Sequence, residues 1–545
     1  MSEARRHKSR AGCQQCKSRR VKCDMGYQKP LKWVSDEASS SSRTPKQTLP
    51  SRTSESPSTA RTSRSTSGSG SYISGSCLGE PLHDDSTALI HHYFTRVCRI
   101  AGCFDSPFSP FRIIPPLILS TSKPIFLLLQ ASSAAQLSRQ TPSMRVKALH
   151  LQTEAFSAVR DEIGTLMSAG GGFGVSDELM LSSIFAGLTS AWYDVNDIGQ
   201  SHVFGSQVLL SLWLMGRVGQ RLSYQQTFIL GAYVYWFMIS SFAAGDPWQS
   251  FCYQEALQGT LATLDMCRDV VDDEDVPEGE RKVYPHPLTG FSNEVCLAVG
   301  KVGSLCRLYY NSTGDRRDVA KKKARISEQE LLDLGVFESE NFHDPQDPKT
   351  TVEEILSVRE AYRLAGLLQL YDTFPYLLHH YSQPSPSPET PSPESESLEQ
   401  TLSPAQHNFL LALAIHILRI LATIPPSSGT RVLQGLPALI AATWLIDPHP
   451  SASHTFQHPR LSPTAALSDL LPVDDQQMSS PKVYWRERVR DGLRKHDEYV
   501  GLQQVSRVLS IVEEVWRLDD SQSQEGEKCK WMVVVARKGL QTLYG

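Results

Sequence analysis

Three cysteines near the start of the chain have the spacing of metal ligands. Two residues separate Cys13 from Cys16, and six residues separate Cys16 from Cys23. Two thiolates three positions apart can hold one soft cation, such as zinc, at the start of a helix. Cys23 lies about two helical turns farther on, so the chain must bend for it to join the same site. Metal binding would then fold a segment that is too small to fold alone.

This stretch resembles the first half of the fungal binuclear zinc cluster, in which six cysteines hold two zinc ions. The resemblance includes the two cysteine gaps and the pattern of basic residues between Cys16 and Cys23. It also includes the preceding Arg10-Ala11-Gly12 and the trailing Asp24 and Lys29-Pro30. The resemblance therefore implies a zinc-organised module that binds double-stranded DNA.

The basic residues between the second and third cysteines take their roles from the same resemblance. In that family a helix that starts at the second cysteine enters the DNA major groove, and basic residues at the positions of Arg19 and Arg20 read the ends of CGG-type half-sites. Arginine can pair with guanine O6 and N7 through two hydrogen bonds, which gives the physical reason. Lys17 and Lys22 would more naturally meet phosphates, which position the module without specifying sequence.

The second half of the cluster is absent from this sequence. The family expects a fourth cysteine after Lys29-Pro30, but no cysteine follows until Cys77. Three thiolates cannot build the binuclear cluster, whereas His7 or Cys77 could complete a single zinc site. Two explanations stay open for the loss: a gene model that skipped or mis-joined an exon at Pro30, or a protein that has lost DNA reading and acts through a partner. A solvated basic tail with incidental cysteines is the third alternative.

The charge distribution separates this arm from the rest of the chain. Residues 1–34 hold ten Lys or Arg against two acidic residues, whereas the remainder holds 44 basic and 56 acidic residues. A short basic arm on an acidic body favours an anionic partner such as nucleic acid. Arg5, Arg6, Lys8 and Arg10 could also serve nuclear import. Residues 35–83 are dominated by Ser and Thr, so we expect a disordered linker.

From about residue 84 to residue 545 the pattern predicts a large all-α domain. Apolar residues recur three or four apart at Met144, Ala148, Leu151, Ala155 and Val159, which is the spacing of one helical face. Strand-like alternation is scarce, so the fold class is all-helical. Disordered insertions are expected near 272–290, 382–400 and 449–481.

Further apolar patterns in the domain indicate buried helices. The same periodicity follows the N-cap candidate Ser176, at Leu179, Leu181, Ile184, Phe185 and Leu188, and it returns at Leu502, Val505, Leu509, Val512 and Trp516. The apolar stretches 222–245 and 409–424 have polar flanks or charged interruptions and are interpreted as buried helices, not membrane spans. Cys98, Cys103, Cys252 and Cys306 lie among apolar residues and are predicted to be small core residues of a reduced compartment.

The body resembles the fungus-specific regulatory domain that follows such zinc clusters. The resemblance lies in residues 89–94, 103–112, 132–137 and 189–194, in that order after the half-cluster. It implies a helical domain that restrains or transmits activation, sometimes through a ligand or a partner. Such a body could present a groove between helices to a small molecule.

These observations together predict a nuclear, zinc-dependent, sequence-specific regulator of RNA polymerase II genes that contacts the transcription machinery. The family often regulates metabolism or biosynthetic gene clusters. The alternative is a co-regulator that keeps only the helical body and does not bind DNA. An all-helical enzyme or small-molecule binder is a third hypothesis, which the absence of a Gly-x-Ser-x-Gly or His-Glu-x-x-His motif disfavours. The linker contains no heptads, so any homodimer contact would lie in the helical body.

Overall fold

The computed structural model describes residues 84–168, 174–218, 220–243, 245–263, 282–335, 339–379, 381, 402–450, 456–461, 481–521 and 528–544. Helices and their connections make up this part of the chain, and it contains no β-strand, only three isolated bridges. The predicted all-α fold class is therefore confirmed. The basic arm 1–34, the linker 35–83 and the insertions 264–281, 382–401 and 462–480 lie outside the described residues.

Ten helices lie in the described part of the N-terminal half of the domain. They are α1 (Asp85–His92), α2 (Cys98–Ala101), α3 (Pro110–Ile118), α4 (Lys123–Leu137), α5 (Ser143–Ser168), α6 (Asp177–Leu188), α7 (Ser190–Tyr193), α8 (Gln200–Met215), α9 (Tyr224–Ser241) and α10 (Pro247–Thr263). A π-helical turn, Tyr93–Val97, joins the first two of them.

The described C-terminal half continues in the same way. Its helices are α11 (Asn293–Asn311), α12 (Asp315–Asp333), α13 (Val352–Thr373), α14 (Tyr376–His379), α15 (Pro404–Thr423), α16 (Gly435–Ala442), α17 (Pro481–Val500), α18 (Gln503–Ser521) and α19 (Trp531–Lys538). Two short 3-10 helices, Ser339–Asn341 and Gly429–Leu433, lie between them.

Local sequence explains where three central helices begin. Ser223 before α9, Thr351 before α13 and Ser403 before α15 each accept a hydrogen bond from the backbone N–H three residues on. In each case a Gln or Glu at that third position returns a bond to the cap backbone. This reciprocal arrangement satisfies two N–H groups that the helix itself leaves without partners.

Four long helices form the centre of the domain. Helices α9 and α11, α11 and α13, and α13 and α15 pack against each other in succession. Every residue of α9 from Phe228 to Ser241 is buried, so the predicted buried helix is confirmed. Helix α15 is long and apolar enough to cross a membrane, but 67% of its apolar window is buried inside the protein. We therefore interpret both stretches as core helices.

The predicted amphipathic faces are present. On α5, Ala148, Leu151, Ala155 and Val159 are buried, while Met144 is half-buried at the helix start. Ser176 caps α6 by accepting a hydrogen bond from the Leu179 backbone at 3.1 Å. Cys98, Cys103 and Cys306 are buried as predicted, but Cys252 is exposed, because it lies on the outer face of α10.

The prediction of disorder near 272–290 is wrong for residues 282–290. Val283 forms a parallel bridge with Phe342. Leu288 and Thr289 are buried. His286 packs against Gly231 of α9, where an added Cβ would lie 2.3 Å from the ring Nε2. Long-range contacts therefore order a segment whose local composition is typical of a loop.

The prediction for 449–481 is also wrong in part. The His449 backbone N–H donates to Asn408 Oδ1 at 2.7 Å. His458 is 4% exposed and its Nε2 lies 3.1 Å from the Tyr371 hydroxyl. Residue Pro481 already begins α17. The reason is again tertiary, because α13 and α15 provide partners that the local sequence does not reveal.

Helices α6 and α9 approach so closely that only glycine fits at their crossing. An added Cβ at Gly187 would lie 1.9 Å from the Trp236 ring, which is 1% exposed. Gly205, in the exposed middle of α8, would meet no atom within 4 Å. The two glycines therefore differ in packing although both lie in helices.

We expect Gly187→Ala to destabilise the domain by about 1–3 kcal/mol, because the buried indole must move out of a packed core. Gly205→Ala is the matched control and should stabilise by about 0.5–1 kcal/mol, because alanine has the higher helix propensity. Denaturant unfolding followed by circular dichroism measures both variants. Equal midpoints for the two would contradict the proposed close crossing.

Candidate functional site

The residues predicted to bind zinc and DNA all lie outside the described part of the chain. This applies to Cys13, Cys16, Cys23, Lys17, Arg19, Arg20 and Lys22, to the candidate fourth ligands His7 and Cys77, and to Arg5, Arg6, Lys8 and Arg10. Their roles stay predictions. Among the described residues, no group of three or more His, Cys, Asp or Glu side chains could hold a metal ion.

The candidate site of the helical body is an apolar cavity of about 90 Å³ where α6, α9, α17 and α18 meet. Its wall includes Leu181, Phe185, Leu188, Phe228, Ala232, Tyr235, Leu493, His496, Val500, Val505, Val508, Leu543 and Tyr544. Several elements that are far apart in sequence thus enclose one space. A concave, mostly apolar space with few polar groups is the usual form of a small-molecule site.

Helix α6 contributes a face that is apolar but not fully buried. Leu181, Phe185 and Leu188 lie four and three residues apart, so they share one side of the helix. Each is half-buried, whereas Leu179 and Ile184 beside them are buried. The sequence predicted this face as apolar core. The structure instead shows that part of it borders the cavity.

Helix α17 brings a buried histidine to the cavity. Trp485, Val489, Leu493, His496 and Val500 are buried, and their spacing of three or four residues forms one stripe along the helix. His496 is 6% exposed and lines the cavity. Sequence analysis missed it, because its immediate neighbours Lys495 and Asp497 suggest a solvated surface. The signal that could have found it is its position within the apolar stripe.

The protonation of His496 follows from its surroundings. Burial, the largest cause, and the Arg431 cation together lower the pKa of His496 to about 4, although Asp497 acts in the opposite direction. The ring is therefore neutral at physiological pH. A neutral imidazole carries one N–H donor and one nitrogen acceptor.

One other polar group of the wall already has a hydrogen-bond partner. The Thr189 hydroxyl donates to the Phe185 carbonyl oxygen at 2.8 Å. The corner between α17 and α18 is fixed from outside, because Arg139 donates to both carboxylate oxygens of Asp497, at 2.7 and 2.5 Å. His496 therefore sits on a rigid helix next to an anchored position.

The C-terminal segment closes the cavity. Leu543 and Tyr544 line it and are 1% and 2% exposed. The Tyr544 carbonyl oxygen approaches Gly435, where an added Cβ would lie only 2.9 Å away. The Trp531 indole N–H donates to Gln369 Oε1 at 2.6 Å, which ties the segment to α13.

A buried ion cluster fixes the same segment. Lys530 Nζ lies 3.1 Å and Lys528 Nζ 3.7 Å from Asp372 Oδ1, and the Asp372 side chain is 2% exposed. Burial alone would raise the pKa of Asp372, but the two lysines hold it below its usual value. The aspartate is therefore ionised, and it pairs with both lysines where little water can reach the three groups.

The comparison with known proteins assigns the chain to a family. A family model described as the fungal specific transcription factor domain matches residues 88–545. The chain belongs to this family. No zinc-cluster domain is detected in it. No curated protein matches the chain, and no solved structure matches it.

Membership in this family confirms the predicted regulatory domain and places the cavity inside it. The family is a transcription factor domain and not an enzyme class. The helices that border the cavity all lie within the matched residues. The cavity is thus a feature of the fungal specific transcription factor domain.

We expect Asp372→Ala to destabilise the domain by about 3–5 kcal/mol, because it leaves two buried lysine charges without their partner. The C-terminal segment 528–544 should lose protection first, which hydrogen exchange detected by mass spectrometry measures directly. Asp491→Ala is the matched control, since Asp491 pairs with Lys495 at 2.6 Å on an exposed helix face. That control should change stability by less than about 0.5 kcal/mol. Equal protection of 528–544 in both variants would contradict the anchoring role of Asp372.

Proposed function

We propose that this chain is a nuclear, zinc-dependent, sequence-specific DNA-binding regulator of genes transcribed by RNA polymerase II. The observation that carries the proposal is the order of the two parts: a basic half-cluster at 13–23 followed by a fungal specific transcription factor domain at 88–545. The helical body would transmit or restrain activation and contact the transcription machinery. Double-stranded DNA with CGG-type half-sites is the expected partner of the arm.

The chemistry of the donor set limits which metal site the arm can form. Cys13, Cys16 and Cys23 supply three thiolates, which do not fit a binuclear cluster of six. They do fit one tetrahedral zinc if His7 or Cys77 supplies the fourth ligand. Bound zinc would hold the segment folded, and Arg19 and Arg20 would then contact guanine edges.

A co-regulator without DNA binding of its own is the second candidate function. The match to the family begins at residue 88, and no zinc-cluster domain is detected before it. In this alternative the helical body acts through a DNA-bound partner. The transcript across the codons for Pro30 and Leu31 separates the two cases in part, because it shows whether the sequence of the arm is the native one.

Zinc content and DNA binding of the full chain test the proposal. Protein made from the verified transcript should hold stoichiometric zinc, and Cys13→Ser with Cys16→Ser should release it. Arg19→Ala should weaken binding to a CGG duplex by about tenfold while leaving binding to unrelated duplexes nearly unchanged, because one guanine contact supplies about 1–3 kcal/mol of discrimination.

Lys17→Ala is the matched control for that measurement. It should weaken binding to all duplexes alike and reduce the salt dependence by about one phosphate contact. Electrophoretic shifts at several salt concentrations give both quantities. A metal-free chain that ignores duplexes of every sequence would remove the DNA-binding proposal and leave the co-regulator.

A further inference from the structure

His496, a polar side chain at the cavity, lacks the hydrogen-bond partners that buried polar groups usually have. His458 and His496 are the two histidines under 9% exposed in the described part of the chain. His458 contacts the Tyr371 hydroxyl at 3.1 Å and accepts from the Arg460 backbone at 3.2 Å. His496 forms no hydrogen bond with any described residue. A buried polar group left in this state is costly and needs an explanation.

The surroundings of His496 exclude the usual structural explanations. Its helix neighbours on the same stripe, Leu493 and Val500, are apolar and border the cavity with it. The cavity of about 90 Å³ is several times larger than the roughly 10–15 Å³ that one water needs. A water needs two to four polar partners, and most of this wall is aliphatic or aromatic, so water has few such partners in the space.

We propose that this cavity is an effector site for a small, uncharged, largely apolar molecule that carries one hydroxyl or carbonyl group, and that His496 forms its hydrogen bond. The apolar wall matches the body of such a molecule. A neutral imidazole can donate to a carbonyl or hydroxyl oxygen and can accept from a hydroxyl. Among the described residues no charged side chain lines the cavity, so an ionised ligand would lose its hydration without a direct charge partner in the wall, which is unfavourable.

Because several elements border the cavity, a bound ligand would affect how they pack together. Helices α6 and α9 from the N-terminal half, α17 and α18, and the C-terminal residues Leu543 and Tyr544 all border it. A ligand would contact all of these elements at once and stabilise their arrangement. That this binding regulates transcription rests on the proposed function, whereas the binding itself does not.

Ligand-observed fluorine NMR on the full chain tests the site with a matched pair of probes. Para-fluorophenol and para-fluorotoluene have similar shapes, but only the first has a hydroxyl. We expect the phenol to bind the native chain more tightly than the toluene. In His496→Phe the phenol should bind about tenfold more weakly, the effect of losing one buried hydrogen bond, while toluene binding changes little. His416→Phe, a half-buried histidine of α15 away from the cavity, should leave both unchanged.

Two variants that fill the cavity complete the test. Val505 and Ala101 both line the cavity. Val505→Phe and Ala101→Leu should each abolish binding of both probes, and their thermal unfolding shows whether each is folded. If one of the two variants fails to fold, the folded variant alone tests the proposal. Absence of phenol binding to the native chain, or equal binding by a folded cavity-filled variant, overturns the proposal. DNA binding is measured separately on the same protein, so failure of the cavity and failure of the DNA-binding arm are distinguishable.

The empty protein offers an independent readout. In the absence of ligand we expect His496→Phe to raise the thermal unfolding midpoint by about 2 °C, because an apolar ring replaces a buried polar ring without partners. A structural histidine would behave in the opposite way. A lower midpoint for His496→Phe than for the control His416→Phe would show that His496 contributes to stability, and would overturn its assignment as a ligand-binding group.

Discussion

The packing of the C-terminal segment 528–544 against the rest of the helical body depends on one buried carboxylate. Asp372 lies near the end of α13, in the middle of the core, where an isolated charge would be strongly disfavoured. The C-terminal segment supplies Lys530 and Lys528, which form ion pairs with the Asp372 carboxylate. A buried charge in this place is tolerated only when it is paired, so the ion pairs favour one packing position of the segment 528–544. The same position of the segment brings Trp531 to Gln369 and places Leu543 and Tyr544 in the cavity wall.

The fold class and much of the helical pattern could be predicted from the sequence, because they follow from local periodicity. The apolar spacing of α5, α6 and α18 requires only that each helix bury one face. The order of residues 282–290 and 456–461 could not be predicted in this way. Those segments are held by partners far away in the chain, such as Phe228 for His286 and Tyr371 for His458. The local amino-acid composition does not reveal such long-range partners.

The cavity was even harder to predict from local sequence. The apolar faces of Leu181 and Phe185 on α6 and of Val505 on α18 were predicted, but as core. Whether two apolar faces meet in contact or leave space between them is decided by the close approach of other elements. At Gly187 the α6–α9 crossing is tight, and a short distance along the same helix Leu188 borders the cavity. That difference comes from the shapes of the partners and not from hydrophobicity.

The predicted zinc-binding arm and the helical body depend on different kinds of interaction, which explains why the sequence predicts a complete helical body but only part of a metal site. A zinc site in the arm would depend on a few ligands with fixed chemistry, so the absence of three of the six cluster cysteines changes what the arm can bind. The body depends on many apolar contacts, none of which is decisive alone. A cavity inside such a body persists only if the rigid elements around it are fixed from outside. Arg139 fixes α17 through Asp497, and Asp372 fixes the C-terminal segment, so the space beside His496 is held open by contacts that do not enter it.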